Sequence, residues 1–188
     1  DEVQTNTLTA KIISDSQAQL SAFQTGELDL ALYVPSDVAT NYADDPALLN
    51  LDVVSNTFLW MNCTGETNPA LADVNVRRAL ALAIDREQLI TFIGATSTRY
   101  PLYGYVPKGM ADADGGDFRG NADAKERYAG FDLAEAKSLM EAAGYSESNR
   151  MPLTISYISS NTNTDICVCL QAMWREIYVD VELNAAEQ

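Results

Sequence analysis

The stretch that decides the fold is residues 73–86, which read DVNVRRALALAIDR. Asp73 can accept hydrogen bonds from the free N–H groups at a helix start, and Val76, Leu80 and Ala83 follow at helical spacing. Asp85 is typical of a second cap directly behind the first helix. The sequence therefore predicts two consecutive capped helices, whose charged residues serve as caps and surface pairs rather than as ligand contacts.

Helix and strand patterns alternate on both sides of this helix pair. Strands are predicted over residues 8–13, 28–33, 49–54, 57–62, 153–158 and 179–183, and further helices over residues 16–25, 132–144 and 165–177. Alternation of this kind is typical of a mixed α/β fold. The first strand–helix–strand passage predicts a parallel pair joined by a right-handed crossover.

Composition excludes several classes of protein. The chain has 188 residues, with 12 basic and 27 acidic side chains and a net charge of −15, which disfavours binding to nucleic acid phosphates. The longest apolar run, residues 79–84, is far shorter than the roughly 20 residues that cross a bilayer. Histidine is absent, which removes the usual zinc hydrolase motifs and catalytic triads. We therefore predict a protein that is not an enzyme, with no catalytic residues and no cofactor.

The cysteines and one acidic run could bind metal or form a disulfide, but their spacing favours neither. Cys63 pairs with Cys167 or with Cys169, or all three remain thiols beside the core; the sequence leaves both alternatives open. The acidic run 112–117 (DADGGD) does not match the ligand spacing of an EF-hand. We interpret it as a solvated loop and predict no metal site.

The segment 57–62 (TFLWMN) carries the best candidate for a binding surface. If Leu59 and Met61 face the core, then Phe58, Trp60 and Asn62 share the opposite face. Flat apolar rings beside an amide suit a wall that contacts peptide. Periodicity alone leaves open whether Trp60 is part of the core instead.

Seven pieces of the chain, in this order, resemble the family 5 extracellular solute-binding proteins, the oligopeptide- and dipeptide-receiving components of ABC importers. They are AFQTGELD at 22–29, WMN at 60–62 with Pro69 after it, residues 73–86, PLYGYVP at 101–107, DLAEAKSLMEAAGY at 132–145, the strand at 152–157, and the helix and strand at 170–183. The resemblance covers nearly the whole chain.

The resemblance implies a fold as well as a family. Residues 1–188 are expected to form a single lobe of the type II periplasmic-binding-protein kind, one half of a two-lobed clamshell. Within this lobe, residues 1–60 and 150–188 are expected to form a sheet-containing core, and residues 61–149 a helical insertion. Peptide would be enclosed between the lobes by hinge closure.

The resemblance also implies a function. The chain would be part of an extracytoplasmic receptor that delivers oligopeptides to ABC permease subunits. It would be periplasmic, or a cell-surface lipoprotein if the source is Gram-positive, and it would act as a monomer. Alternative ligands are a peptide pheromone, a sugar or a chelated metal, and a less favoured alternative is a peptide hydrolase. The isolated chain is expected to fold but to bind peptides weakly.

Ligand-binding residues follow from the resemblance position by position. They are Leu32, Tyr33, Val34, Phe58, Trp60 and Asn62. One departure concerns the turn before the last strand, where the family usually has glycine and this chain has Tyr178. If a left-handed turn persists there, the tyrosine is strained.

Overall fold

The computed structural model describes residues 4–49, 54–94, 99–107, 109–120 and 130–187. The chain divides into two compact units, Asp1–Leu49 and Asn50–Gln188. Most of the strand predicted at 49–54 lies outside the described residues. The division into a sheet-containing core and a helical insertion stays a prediction.

The first unit is helical where it is regular. It contains α1 (Ser16–Gln24), α2 (Ser36–Ala39) and the 3-10 helix Thr40–Tyr42. Asp15 caps α1 as expected, because its carboxylate accepts a hydrogen bond of 2.8 Å from the N–H of Ala18. The helix at 16–25 is thereby confirmed.

The two strands predicted in the first unit are wrong. Residues 8–13 and 28–33 form no strand, so the predicted parallel pair is not formed in this unit. Alternation makes a strand only where a neighbouring backbone supplies hydrogen bonds and a packed face buries the apolar side chains. Leu8 and Ile12 are instead 90% and 100% exposed, and an ion pair of 2.9 Å joins Lys11 to Glu27, the residue before the second segment.

The second unit begins with the helix pair that the sequence predicted. The 3-10 helix Pro69–Ala72 leads into α3 (Val74–Leu82), and α4 (Arg86–Phe92) follows. The carboxylate of Asp73 accepts from Asn75 N–H at 2.8 Å, and that of Asp85 accepts from Gln88 N–H at 3.0 Å. Both capped helices are confirmed.

A third capped helix packs against α3. It is α5 (Leu133–Ala142), which begins at Asp132, whose carboxylate accepts from Glu135 N–H at 2.9 Å. The N–H of Asp132 donates to Leu82 O at 3.0 Å, which ties the start of α5 to the end of α3. Before α5 the chain forms an isolated bridge between Ala111 and Asp117 and the 3-10 helix Phe118–Gly120.

The sheet of the second unit is a parallel pair joined by a helix. Strand β1 (Met151–Ile158) is followed by α6 (Asn161–Arg175) and β2 (Val179–Ala186). Met151 lies opposite Val179 and Ile158 opposite Ala186. The two strands and the helix predicted in this region are confirmed.

The core of the second unit lies where α3, α5, α6 and β1 meet. Trp174 on α6 is 2% exposed, and its indole N–H donates to Leu80 O at 2.9 Å. The other fully buried large side chains are Val76, Leu80, Leu82, Met140, Met151, Leu170, Ile177 and Val179. Burial of such side chains contributes roughly 1.5–3 kcal/mol each, so this core dominates the stability of the unit.

The turn between α6 and β2 keeps the left-handed conformation although its residue is not glycine. Tyr178 has a φ of 65°. Its carbonyl accepts from Met151 N–H at 2.8 Å, and its hydroxyl donates to Glu141 Oε1 at 2.8 Å. These bonds hold the residue in a backbone region that L-residues seldom adopt.

The strand predicted at residues 57–62 is also wrong. This segment forms neither helix nor strand, and its backbone has no backbone hydrogen-bond partner in the described part of the chain. The apolar alternation is present, but a strand requires a neighbour at hydrogen-bonding distance.

Candidate ligand-binding surface

Three exposed aromatic rings form a cluster in the second unit. The ring centroids of Phe58 and Trp60 are 5.4 Å apart in an edge-to-face arrangement, and those of Phe58 and Tyr105 are 5.1 Å apart. The side-chain amide of Asn56 donates to Tyr105 O, which fixes the loop beside the segment. We call Phe58, Trp60 and Tyr105 the aromatic surface.

The aromatic surface is open to solvent. Phe58 is 43% exposed, Tyr105 59% and Trp60 85%. Large exposed rings in contact with one another are unusual on a surface that binds nothing, because water contact with apolar area is unfavourable. Rings of this kind can stack on, or pack against, apolar and planar groups of a ligand.

The orientation of Trp60, which periodicity left open, is settled by its exposure. Met61 packs against the buried core cluster, whereas Trp60 does not belong to it. Leu59 is 38% exposed, against 85% for Trp60, and residues 57–61 together line a cavity below the segment. Trp60, whose ring contacts that of Phe58, therefore points to solvent.

The cavity below the segment has a volume of about 350 Å³. Its walls are residues 57–61, residues 153 and 155–157 of β1, and the inner face of α6. Trp174 and Cys167 contribute to the lining from α6, and Leu80 contributes from α3. The lining is mostly apolar, so the cavity favours apolar groups over charged ones.

The side-chain amide of Asn62 takes part in a local turn. Its Oδ1 accepts from the N–H and the hydroxyl of Thr64 at 3.1 and 2.8 Å, and its Nδ2 donates to Thr67 Oγ1 at 2.9 Å. A ligand that donates to Oδ1 must replace one of the two contacts with Thr64, whereas an acceptor could use the second N–H of Nδ2. A ligand role for Asn62 stays a prediction.

The other predicted contacts lie in the first unit. Leu32 and Tyr33 are 76% and 66% exposed, and Val34 is half-buried just before α2. The structure thus brings Phe58 and Trp60 together in one unit and places residues 32–34 in the other. Their role as ligand contacts stays a prediction.

Tyr105 is the member of the cluster that sequence reasoning missed. The loop PLYGYVP at 101–107 was identified only as part of the family resemblance. An aromatic residue between glycine and proline in a loop is a weak signal, because its side-chain direction depends on the fold. The contact with Phe58 spans 47 positions, which no local pattern reveals.

Arg86, at the start of α4, has a structural role. Arg86 Nη1 donates to Ala81 O and Ile84 O at 3.4 and 3.2 Å, which caps the end of α3. Its guanidinium lies 5.4 Å from the ring centre of Tyr103, and burial lowers the pKa of this arginine. Burial also raises the pKa of Tyr103, and the nearby Glu87 carboxylate adds to that rise.

The acidic run 112–117 folds around its own backbone. The Asp112 carboxylate accepts from the N–H groups of Asp114 and Gly116 at 3.0 and 2.8 Å. Within the described ranges, no group of three acidic, cysteine or histidine side chains could hold a metal ion.

Cys63, Cys167 and Cys169 are free thiols. In the same ranges, no helix combines the length and the apolar character needed to cross a bilayer.

A family model describes the whole chain. The model of the bacterial extracellular solute-binding proteins, family 5 Middle, matches residues 1–188. The chain belongs to this family.

Two curated relatives and one solved structure show the extent of the similarity. The dipeptide-binding protein DppE of Bacillus subtilis is 27% identical over all of this chain, which spans 34% of DppE. The oligopeptide-binding protein OppA of the same organism is 26% identical over all of this chain, which spans 34% of OppA. The structure of the pheromone receptor PrgZ has a TM-score of 0.79 at 24% identity, covering 93% of this chain and 34% of that one.

These similarities confirm the mixed α/β fold of the periplasmic-binding-protein type. The chain spans about a third of the length of the curated relatives it matches. Those relatives are named as peptide-binding proteins.

Proposed function

We propose that this chain is part of an extracytoplasmic receptor that binds oligopeptides and delivers them to an ABC permease. The observation that carries the proposal is the aromatic surface on a chain that belongs throughout to family 5. The named activities of DppE and OppA support peptides as the ligand class.

The proposed contacts divide into two sets. In the second unit, Phe58 and Trp60 supply apolar area against peptide side chains or backbone, and Asn62 supplies polar contacts through its side-chain amide. In the first unit, Leu32, Tyr33 and Val34 supply a second set. Contacts of this kind discriminate weakly between side chains, so the receptor accepts peptides of varied sequence.

The setting of the receptor is part of the same proposal. It acts outside the cytoplasm, in the periplasm or as a cell-surface lipoprotein, and it works as a monomer that docks on the permease subunits. It catalyses no reaction. The net charge of −15 supports the absence of nucleic acid from its partners.

The test compares two exposed aromatic residues in the complete receptor. Trp60→Ala is expected to weaken trialanine binding about tenfold, because a large ring at a ligand contact commonly contributes 1–2 kcal/mol. Phe92→Ala, which changes a ring that is 57% exposed on α4, is the matched control and is expected to leave the affinity unchanged. Isothermal titration calorimetry measures both.

Equal affinities for the wild type and Trp60→Ala would remove Trp60 from the site. A co-purified ligand that mass spectrometry identifies as a sugar or a metal chelate would contradict the peptide assignment, and a pheromone peptide would narrow it. Turnover of a fluorogenic peptide would favour a hydrolase. If the isolated chain binds short peptides with micromolar or tighter affinity, the expectation that it binds peptides weakly is wrong.

A further inference from the structure

Tyr105, the third ring of the aromatic surface, lies on a loop that forms no helix or strand. Residues 101–107 are irregular throughout. The position of the ring therefore depends on contacts between this loop and other parts of the chain. The first half of the loop is tied to α4, because the hydroxyl of Tyr103 donates to Glu87 Oε1 at 3.4 Å. The second half, which carries Tyr105, needs contacts of its own.

Two consecutive carbonyls of the second half accept hydrogen bonds from distant side chains. Asn56 Nδ2 donates to Tyr105 O, and Arg119 Nε donates to Val106 O. Asn56 lies 49 positions before its acceptor and Arg119 lies 13 positions after its own, so two separate segments hold the loop. A backbone bonded at successive peptide groups retains few of the conformations open to a free loop. The backbone that carries the Tyr105 ring is therefore restrained at two points.

The guanidinium of Arg119 also occupies the space beside Gly104. A Cβ built on Gly104 would lie 2.5 Å from Nη1 and 2.8 Å from Cζ of Arg119. These distances are shorter than real contacts of a Cβ atom, so a side chain at this position would displace the guanidinium. The backbone of Gly104 does not itself require glycine, because its φ lies outside the left-handed region. The absence of a side chain at Gly104 thus lets Arg119 reach Val106 O.

Burial alone does not fix the Tyr105 ring. The residue is 59% exposed, and its ring meets that of Phe58 at a centroid distance of 5.1 Å. Packing on one side leaves other orientations open, so an exposed ring keeps its place only as well as the backbone that carries it. A ligand that bound a loosely held ring would have to order the loop first, and that cost would lower the affinity.

We propose that Arg119 is a positioning residue of the ligand-binding surface. By bonding to Val106 O and lying against Gly104, it fixes the backbone that carries Tyr105 and so holds the ring beside Phe58. Its role is to hold the loop, and it need not touch the ligand. Because the ring is in place before a ligand arrives, binding requires no ordering of this loop. This role rests on the proposed function only in taking Tyr105 as a peptide contact.

Fluorine NMR on the complete receptor measures the position of the ring without any ligand. With 3-fluorotyrosine in place of tyrosine, the resonance that disappears in Tyr105→Phe belongs to residue 105. Arg119→Ala and Gly104→Ala are both expected to move this resonance toward the shift of free 3-fluorotyrosine, because both release the loop from the guanidinium. Arg78→Ala removes an exposed arginine that pairs with Glu135 at 2.6 Å, and as the matched control it is expected to leave the resonance in place. Circular dichroism checks that each variant is folded.

Titration of the same variants with trialanine tests whether the position of the ring matters for binding. Tyr105→Ala and Arg119→Ala are each expected to weaken binding about fivefold. Adding Arg119→Ala to Tyr105→Ala is expected to weaken binding further by less than about twofold, because no ring remains for the arginine to position. An arginine that only stabilised the fold would instead lower the affinity by the same factor in both backgrounds.

Three results would overturn the positioning role. An unchanged fluorine resonance in both Arg119→Ala and Gly104→Ala would show that the ring is held without the arginine. Wild-type affinity in either Tyr105→Ala or Arg119→Ala, or an equal loss from Arg119→Ala in both backgrounds, would show that the arginine does not act on binding through the ring. If the wild-type receptor binds no trialanine, the peptide-binding proposal fails instead, and the fluorine resonances alone decide whether Arg119 positions the ring.

Discussion

The two tryptophans of this chain line the same cavity but have opposite surroundings. Trp174 is 2% exposed and donates its indole N–H to Leu80 O at 2.9 Å. Trp60 is 85% exposed and touches another exposed ring, Phe58. One side chain holds two helices together, whereas the other is available to a ligand.

The difference between Trp174 and Trp60 shows that being a tryptophan does not decide whether a side chain stabilises the core or is available to a ligand. An indole is stable in a core only where its N–H finds an acceptor, and α3 supplies one at the carbonyl of Leu80. No comparable framework surrounds Trp60, because residues 57–61 lack a paired neighbour in the described part of the chain. The stability of this unit is therefore expected to depend on Trp174, and its binding on Trp60.

The largest expected effect is that of substituting the buried tryptophan. Trp174→Phe removes part of the ring and leaves Leu80 O without its donor, which costs about 2–3 kcal/mol of unfolding free energy. The matched change Trp60→Phe is expected to alter stability by less than about 0.5 kcal/mol. Urea denaturation followed by circular dichroism measures both, and equal losses would contradict the division of roles.

The next largest effect is on the pH dependence of the unfolding free energy. The test compares a substitution of the buried thiol of Cys167 with one of an exposed thiol. Burial raises the pKa of the Cys167 thiol, so the folded state keeps its proton at pH values where the unfolded state has lost it. This group's contribution to stability is full below pH about 8.5, the pKa of a free thiol, and it is lost as the pH rises through the folded pKa.

Cys167→Ala is therefore expected to flatten the fall in unfolding free energy between pH 8 and pH 10, by at most about 1.4 kcal/mol per pH unit. Cys63→Ala, at an exposed position, is the control for loss of a thiol side chain, and its urea midpoint at pH 8 is expected to equal that of the wild type. Urea midpoints across this pH range give the slopes. Parallel slopes for wild type and Cys167→Ala would show that the thiol is not protected by the core.

The smallest effect tests the turn that joins the core helix to β2. Tyr178→Ala and Tyr178→Gly remove the same ring and hydroxyl, and they differ in how well they tolerate a φ of 65°. The glycine variant is expected to have a folding equilibrium constant about fivefold larger than the alanine variant, since glycine adopts this conformation without steric cost. Equal stabilities would mean that the turn relaxes once the ring is gone.

The helices were predictable because their signals are local. Asp73, Asp85 and Asp132 each accept a hydrogen bond from an N–H two or three residues ahead. A cap of this kind depends on neighbours in sequence, so the pattern of a few residues is sufficient. Strands β1 and β2 with α6 between them were predicted as well, and there the two strands pair, whereas the same strand–helix–strand pattern at residues 8–33 forms no strand.

The strands at 8–13, 28–33 and 57–62 failed for the opposite reason. Alternation specifies which side chains share a face, but a strand exists only where another backbone lies beside it. Trp60 shows the same limit at the binding surface, because its periodicity was compatible with core and surface alike. Tyr105 was missed because its contact with Phe58 depends on a loop distant in sequence.

By itself, then, the stretch 73–86 determined the helix pair and, with its neighbours in order, the family. The physical reason is that caps and helical periodicity are satisfied within a few residues. Only the tertiary structure decided that Trp174 is buried, that Trp60 is exposed, and that Phe58 and Tyr105 meet. Those outcomes depend on which distant backbone and side-chain groups occupy the space around each ring, and that information is spread over the whole chain.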